Sequence, residues 1–349
     1  MRKKILQIIL IIIIAVFCLA GVSSAAEFWL RAGTFIKTMP DGVQVPMWGF
    51  ARCTANFASC GALRVPGPPL IVPPGDNSLT IHLRNNLVGP YTEPVSLVIP
   101  GQAMPTDGIA SSPAPVKVPD ANGNLRVRSL VHETLVGSDG VYVWNPLKPG
   151  TYMYESGTHQ AVQVQMGLYG PLKRDAAPGQ AYSGIPFDRE VVLFFSEIDP
   201  ALHNAVVTDN YGPGKSMTST MYYEPKYFLI NGQPYSSATS AIPAGNAGQR
   251  VLIRFLNAGL ESRVPVMDRH YMSVLAEDGN LFAHPKEQYA PLLAAGKTLD
   301  AMITPQAQGT YAVYDRMLGL TNAAASPGGM LAFLRIATAP AGAASHGQR

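Results

Sequence analysis

The 349-residue chain carries 26 Lys plus Arg against 23 Asp plus Glu, and only 14% of its residues are charged. Three of the cations, Arg2, Lys3 and Lys4, sit at the amino end, so the remainder is electrically balanced, and no basic run is longer than Lys173-Arg174. Nucleic acid and anionic membrane surfaces therefore have no electrostatic counterpart here.

Residues 1–26 are predicted to be a secretory signal. The three cations precede an apolar run from Ile8 to Ala20 and a small-residue stretch, Val22-Ser-Ser-Ala-Ala26, with cleavage expected after Ala25 or Ala26. The run falls short of the roughly 20 residues that span a bilayer. An uncleaved anchor is the alternative; lipid attachment at Cys18 is disfavoured by bulky Phe17 before it. Export to the periplasm or the medium is expected, with no transmembrane segment once the signal is gone. Cys53 and Cys60 then remain as an even pair in an exported chain, which predicts a disulfide. Its loop is short, so the chain-entropy account gives about 2.5 kcal/mol of stabilisation. A soft metal site is the rival reading, but two thiolates without a nearby histidine leave the coordination half empty.

After the signal the chain reads as β-structure. The 33 Gly and 30 Pro are scattered among short apolar runs. Leu79-Thr-Ile-His-Leu-Arg84 alternates as a half-buried strand should. Val127–His132, Val141–Trp144, Val162–Gln165, Glu190–Phe195, Val251–Phe255 and Met330–Ile336 are also predicted strands. Short helical turns are expected only at Tyr289–Ala295 and near Pro200–Ala205. The chain also repeats itself. Pro74 to Asn86 is echoed by Ala244 to Asn257, Gly150-Thr-Tyr152 by Gly309-Thr-Tyr311, and Gly167-Leu-Tyr-Gly170 by Pro327-Gly-Gly329, in the same order. Two copies of one β-sandwich explain this economically. The first is expected over 27–175 and the second over 187–338. A linker rich in Ala, Pro, Gly and Ser joins them between Lys173 and Pro186, and 339–349 should be a disordered tail.

Those spaced motifs, Leu83-Arg-Asn-Asn-Leu87, then Pro149-Gly-Thr-Tyr-Met-Tyr154, then Met166-Gly-Leu-Tyr-Gly-Pro-Leu172, resemble the first cupredoxin domain of the multicopper oxidases, the laccase family. Tyr227-Phe-Leu-Ile-Asn-Gly232, Arg254-Phe-Leu-Asn-Ala-Gly259 and Gly309-Thr-Tyr311 resemble its second. The resemblance runs from about Phe28 to Ile336 and implies two tandem cupredoxin-like Greek-key β-sandwich domains, all-β. It also implies copper chemistry: members oxidise a substrate at a mononuclear copper and reduce dioxygen at a trinuclear cluster held by His-X-His pairs. The first pair is expected just before Gly101, where the sequence reads Val98-Ile-Pro100. The second is expected after Gly-Thr-Tyr-X-Tyr, where it reads Glu155-Ser-Gly157. The mononuclear site wants a His-Cys-His strand, and no cysteine follows Cys60. Oxidase activity by this chain alone is excluded on that ligand count.

Of seven histidines, His82 is read as a solvated strand residue, His203, His270 and His284 as surface-loop residues, and His346 as part of the tail. His132 and His159, with Glu155, lie near the vacated positions. They form a weak candidate metal set, since imidazole and carboxylate can share a divalent ion. The competing reading is that the three fill the vacated pocket by hydrogen-bonding one another. The sequence has no Gly-X-Ser-X-Gly, His-Glu-X-X-His or phosphate-loop motif, and its 13 methionines are dispersed. The expectation is a binding or structural module without a catalytic residue or cofactor, working through an unidentified protein partner. Two alternatives stand beside it: a subunit of a copper oxidase completed by another chain, and a simple extracytoplasmic metal binder.

Overall fold

The computed structural model describes residues 25–89, 92–109, 115–120 and 122–339. The predicted signal up to Ser24 and the predicted tail from Pro340 lie outside them. The first half contains β1 (Ala25–Thr38), β2 (Gln44–Cys53), β3 (Leu70–Val72), β4 (Ser78–Asn86), β5 (Val116–Pro119), β6 (Leu125–Ser129), β7 (Asp139–Trp144), β8 (Gly150–Glu155) and β9 (Tyr169–Arg174). A small hairpin, β10 (Gln180–Tyr182) and β11 (Ile185–Pro186), leads to the second half. There follow β12 (Arg189–Ile198), β13 (Tyr227–Ile230), β14 (Ile242–Asn246), β15 (Val251–Asn257), β16 (Pro265–Met267) and β17 (Met272–Glu277). The series ends with β18 (Asn280–Gln288), β19 (Thr298–Ile303), β20 (Gly309–Asp315) and β21 (Leu331–Ala337).

Period-two alternation builds the first sandwich. In β4, Leu79, Ile81 and Leu83 point inward while Thr80, His82 and Arg84 face outward, and β1 sends Phe28, Leu30 and Ala32 to the same core. These strands lie in a sheet of order β2-β1-β4-β7, with β1 and β4 parallel and Leu30 opposite Leu83. A second sheet, β3-β9-β8, closes over it, and Leu70, Tyr154 and Leu172 complete the core. Each fully buried aliphatic side chain contributes on the order of 2 kcal/mol. The second sandwich repeats the plan. Its sheets are β13-β12-β15-β19-β17-β18 and β14-β21-β20-β16. The parallel pair β12–β15 mirrors β1–β4, and β14–β21 mirrors β3–β9. The repeated sequence segments thus fall on matching strands, β4 with β15 and β8 with β20.

Four expectations need correction. Val162–Gln165 is not a strand but lies in helix α1 (Gln160–Met166). Both of its faces are buried, so alternation carried no information about which side meets solvent, and tertiary packing decided the conformation. Tyr289–Ala295 forms no helix: Leu293 exchanges backbone hydrogen bonds with Arg263. The predicted linker is docked, with Tyr182 and Ala181 buried against Leu252 and Leu275, and Lys173 and Arg174 belong to β9. The helical turn near Pro200 is present as α2 (Pro200–Val207), capped by Asp199, whose carboxylate accepts from Ala201 N at 2.8 Å. His203 on it is fully buried rather than in a surface loop, its Nδ1 donating to Pro46 O at 2.7 Å. Helix α2 belongs to the second half by sequence, yet Leu202, Ala205 and Val206 lie in the core of the first.

Cys53 and Cys60 are bonded to each other. No helix among the described residues is long and apolar enough to cross a membrane.

Candidate functional site

The positions expected to carry copper ligands do converge. Val98 stands opposite Glu155 at the end of β8, the two residues exchanging backbone hydrogen bonds of 2.9 and 3.0 Å. Gly157 lies against them: a Cβ there would stand 2.7 Å from Val98 Cγ1 and 3.0 Å from Ser96 Oγ. Any side chain at 157 would need the Val98 side chain to shift. The volume is occupied by groups that satisfy one another. Ser96 Oγ is 2.9 Å from Ser129 Oγ and 3.0 Å from Thr158 Oγ1, and Ser156 Oγ donates to Gln163 Oε1 at 2.6 Å. All of these residues are buried.

The three weak metal candidates take separate partners. Glu155 is 6% exposed and accepts from Gln160 Nε2 at 3.0 Å. Burial pushes its carboxyl from the ordinary 4.5 up to about 7, with the Gln160 bond pulling the other way. His159 Nδ1 instead meets the Glu93 carboxylate at 2.8 and 3.0 Å. That hydrogen bond raises its pKa above the ordinary value, against desolvation. Gln163 Nε2 donates to the same carboxylate and to Pro94 O. His132 is turned away altogether: its Nε2 donates to Val141 O at 2.8 Å and its ring stacks on Tyr142 at 4.3 Å. Among the described residues no group of three or more His, Cys, Asp or Glu is placed to hold a metal ion. The neighbouring Glu133, held by Arg128 and 3.2 Å from Thr158 Oγ1, closes the cluster. His159 sits at φ +37°, the left-handed region, where the chain turns from β8 into α1.

The second half packs against α1 beside this locus. Gln165 of α1 donates to Ala258 O at 2.9 Å, and its Oε1 lies 3.0 Å from the Tyr223 hydroxyl. The sequence reading missed a further polar constellation between the halves. Arg254, fully buried in β15, donates from Nε to Glu190, from Nη1 to Thr151 Oγ1 at 2.8 Å and from Nη2 to Asp175. Asp300 accepts from Thr151 Oγ1 and the Tyr182 hydroxyl, each at 2.6 Å. Burial pushes its carboxyl up while Arg254 pulls it down. One signal was available: an arginine inside the otherwise apolar Val251–Phe255 run needs a buried partner. Arg263 heads a comparable group, reaching Glu197 at 2.7 Å, Glu261 at 2.8 Å and Asp315 at 3.2 Å.

The chain is similar to known copper proteins. Residues 189–339 match the Multicopper oxidase family model. Copper resistance protein A of Pseudomonas syringae pv. tomato is 26% identical over 227 residues, which is 52% of this chain and 35% of that protein. The chain thus matches about a third of that relative's length. Among solved structures, a Blue Copper Oxidase from Nitrosomonas europaea superposes with a TM-score of 0.68 at 17% identity, covering 90% of this chain and 86% of that one. A copper nitrite reductase from the same organism gives 0.62 at 19%, covering 90% and 94%. At these identities the structural likeness is one of fold.

Proposed function

We propose that the chain is an exported relative of the multicopper oxidases that serves as a copper-free binding or structural module; its two sandwiches share their fold and its second half matches their sequence pattern. The observation that carries this reading is that the expected ligand positions hold Val98, Glu155 and Gly157, with Gly157 packed against the Val98 and Ser96 side chains. The copper centres of the family do not fit these residues. A softer divalent metal wants imidazole or thiolate. Here the two cysteines are spent on each other, His132 is spent on a backbone carbonyl, and His159 is spent on Glu93. The reading of His132, Glu155 and His159 as one metal site gains no support from this division. Export rests on the charged, apolar and small-residue order of residues 1–26.

The test is to incubate the purified protein with excess copper, record its visible spectrum and assay a phenolic dye for oxygen-dependent turnover. The expected outcome is no blue-copper band and no turnover. A strong band, or turnover that His159→Ala abolishes, would overturn the proposal.

A further inference from the structure

The two halves do not meet everywhere along their interface. Between β3 and β9 on one side and β12 and β15 on the other, a cleft of about 380 Å³ stays open. That is near the small end of the range for small-molecule sites. Its walls are apolar: Ile71 and Pro171 from the first half face Val192 from the second, over the buried Phe194 and Leu256. The inner end is closed by the packing of Phe194 and Leu256 with Met153, Val164 and Tyr169. One lining residue braces the wall. Asn231 Oδ1 accepts from Phe194 N and its Nδ2 donates to Val192 O, both at 2.9 Å, fixing the β12 wall.

Charge decides what could enter. Of the ionic side chains lining the cleft, Lys173, Glu190 and Arg254 neutralise one another together with Asp175. Arg64 at the opposite end is exposed; its Nε donates to Pro66 O at 3.2 Å, and its guanidinium takes part in no ion pair among the described residues. The cleft therefore offers an apolar slot, a closed ionic wall and one uncompensated planar cation. A guanidinium in that position selects a carboxylate or sulfonate, which it can bind with two parallel hydrogen bonds.

We propose that this interdomain cleft binds a small amphipathic anion, its apolar body between Ile71 and Pro171 on one side and Val192 on the other, and its anionic head on Arg64. The site is separate from the vacated copper locus and does not rest on the reading proposed for that locus.

Two fluorescent probes test it on the full chain: 8-anilinonaphthalene-1-sulfonate, which carries an anionic head, and neutral N-phenyl-1-naphthylamine. Both are expected to bind saturably, one per chain. Arg64→Gln should weaken the sulfonate by about tenfold and leave the neutral probe within about twofold. Val192→Trp, which adds bulk at a partly exposed wall position, should abolish both; if its melting temperature falls, Val192→Phe replaces it. Non-saturating fluorescence, or full binding of both probes by the folded wall variant, would overturn the site. Equal weakening of the two probes by Arg64→Gln would overturn the anionic head.

Discussion

Asn85 in the first sandwich and Asn257 in the second do the same work. Each ends a strand, accepts from the backbone N–H two residues on, and donates its amide to carbonyls across the turn. Tyr152 and Tyr311 likewise fold their hydroxyls back to carbonyls shortly before them, at 2.9 and 3.0 Å. The halves part company in what they bury beside that shared frame. Around Ser96, Ser129 and Thr158 the first half buries short hydroxyls and one weakly partnered carboxyl. The second buries a whole guanidinium, Arg263, among three carboxylates. A repeated scaffold therefore fixes the strand ends but leaves the polar filling free to diverge.

The largest test of that contrast is removal of a charge. Arg263→Met strands Glu197 and Asp315, both with wholly buried side chains, and should cost about 3–5 kcal/mol. Ser96→Ala leaves hydroxyls that can turn to one another and should cost about 1 kcal/mol. Guanidinium chloride unfolding followed by circular dichroism measures both, and equal losses would erase the distinction between the halves.

Next comes the weakly partnered carboxyl. Because burial lifts Glu155 from 4.5 to about 7, the native state binds its proton more tightly than the unfolded chain. Its contribution is complete below pH 4.5 and lost as pH rises through 7. Glu155→Gln should then stabilise the protein by up to about 3 kcal/mol at pH 8 and by almost nothing at pH 4. His203 acts in the opposite sense. Burial lowers it from 6.5 to about 4, so stability present above pH 6.5 falls as pH drops toward 4. The two slopes oppose each other between pH 4.5 and 6.5, and stability curves of Glu155→Gln should shift there toward the sense of the His203 slope.

A last pair of substitutions sharpens the shared part. Asn85→Ala and Asn257→Ala should each cost about 2 kcal/mol, since each leaves a buried backbone turn without its partner. Denaturation midpoints that differ widely between them would show that the repeat is one of sequence but not of energetics.

The sequence was most informative where one face of a strand meets the core and the other meets water. Leu79 to Arg84 is such a case, as are the two Gly-Thr-Tyr copies. It misled at Val162–Gln165, where both faces are covered, and at His203, whose polar neighbours suggested a loop while Leu202 and Val206 carried it into a core. At the site, the resemblance to the multicopper oxidases placed Val98, Glu155 and Gly157 in one locus, and they do converge. The division of Glu155, His159 and His132 among Gln160, Glu93 and Val141 was not legible. It depends on which way three side chains turn at strand ends, and spacing does not encode that. The Arg254 cluster and the cleft beside it were hidden for a related reason: their partners come from segments far apart in the chain.

Helix α2 sets an order on how the protein can be made. The last strand of the first sandwich ends at Arg174, yet the side chains that plug its interior are Leu202, Ala205 and Val206. A growing chain that has just delivered Arg174 has every strand of that sandwich and an open hole in its middle. The lid must arrive attached to the beginning of the next unit. The amino half is thus no free-standing module that acquired a neighbour: cutting between Arg174 and Pro200 severs a hydrophobic plug along with a tether, and an excised amino half would expose the interior that α2 covers.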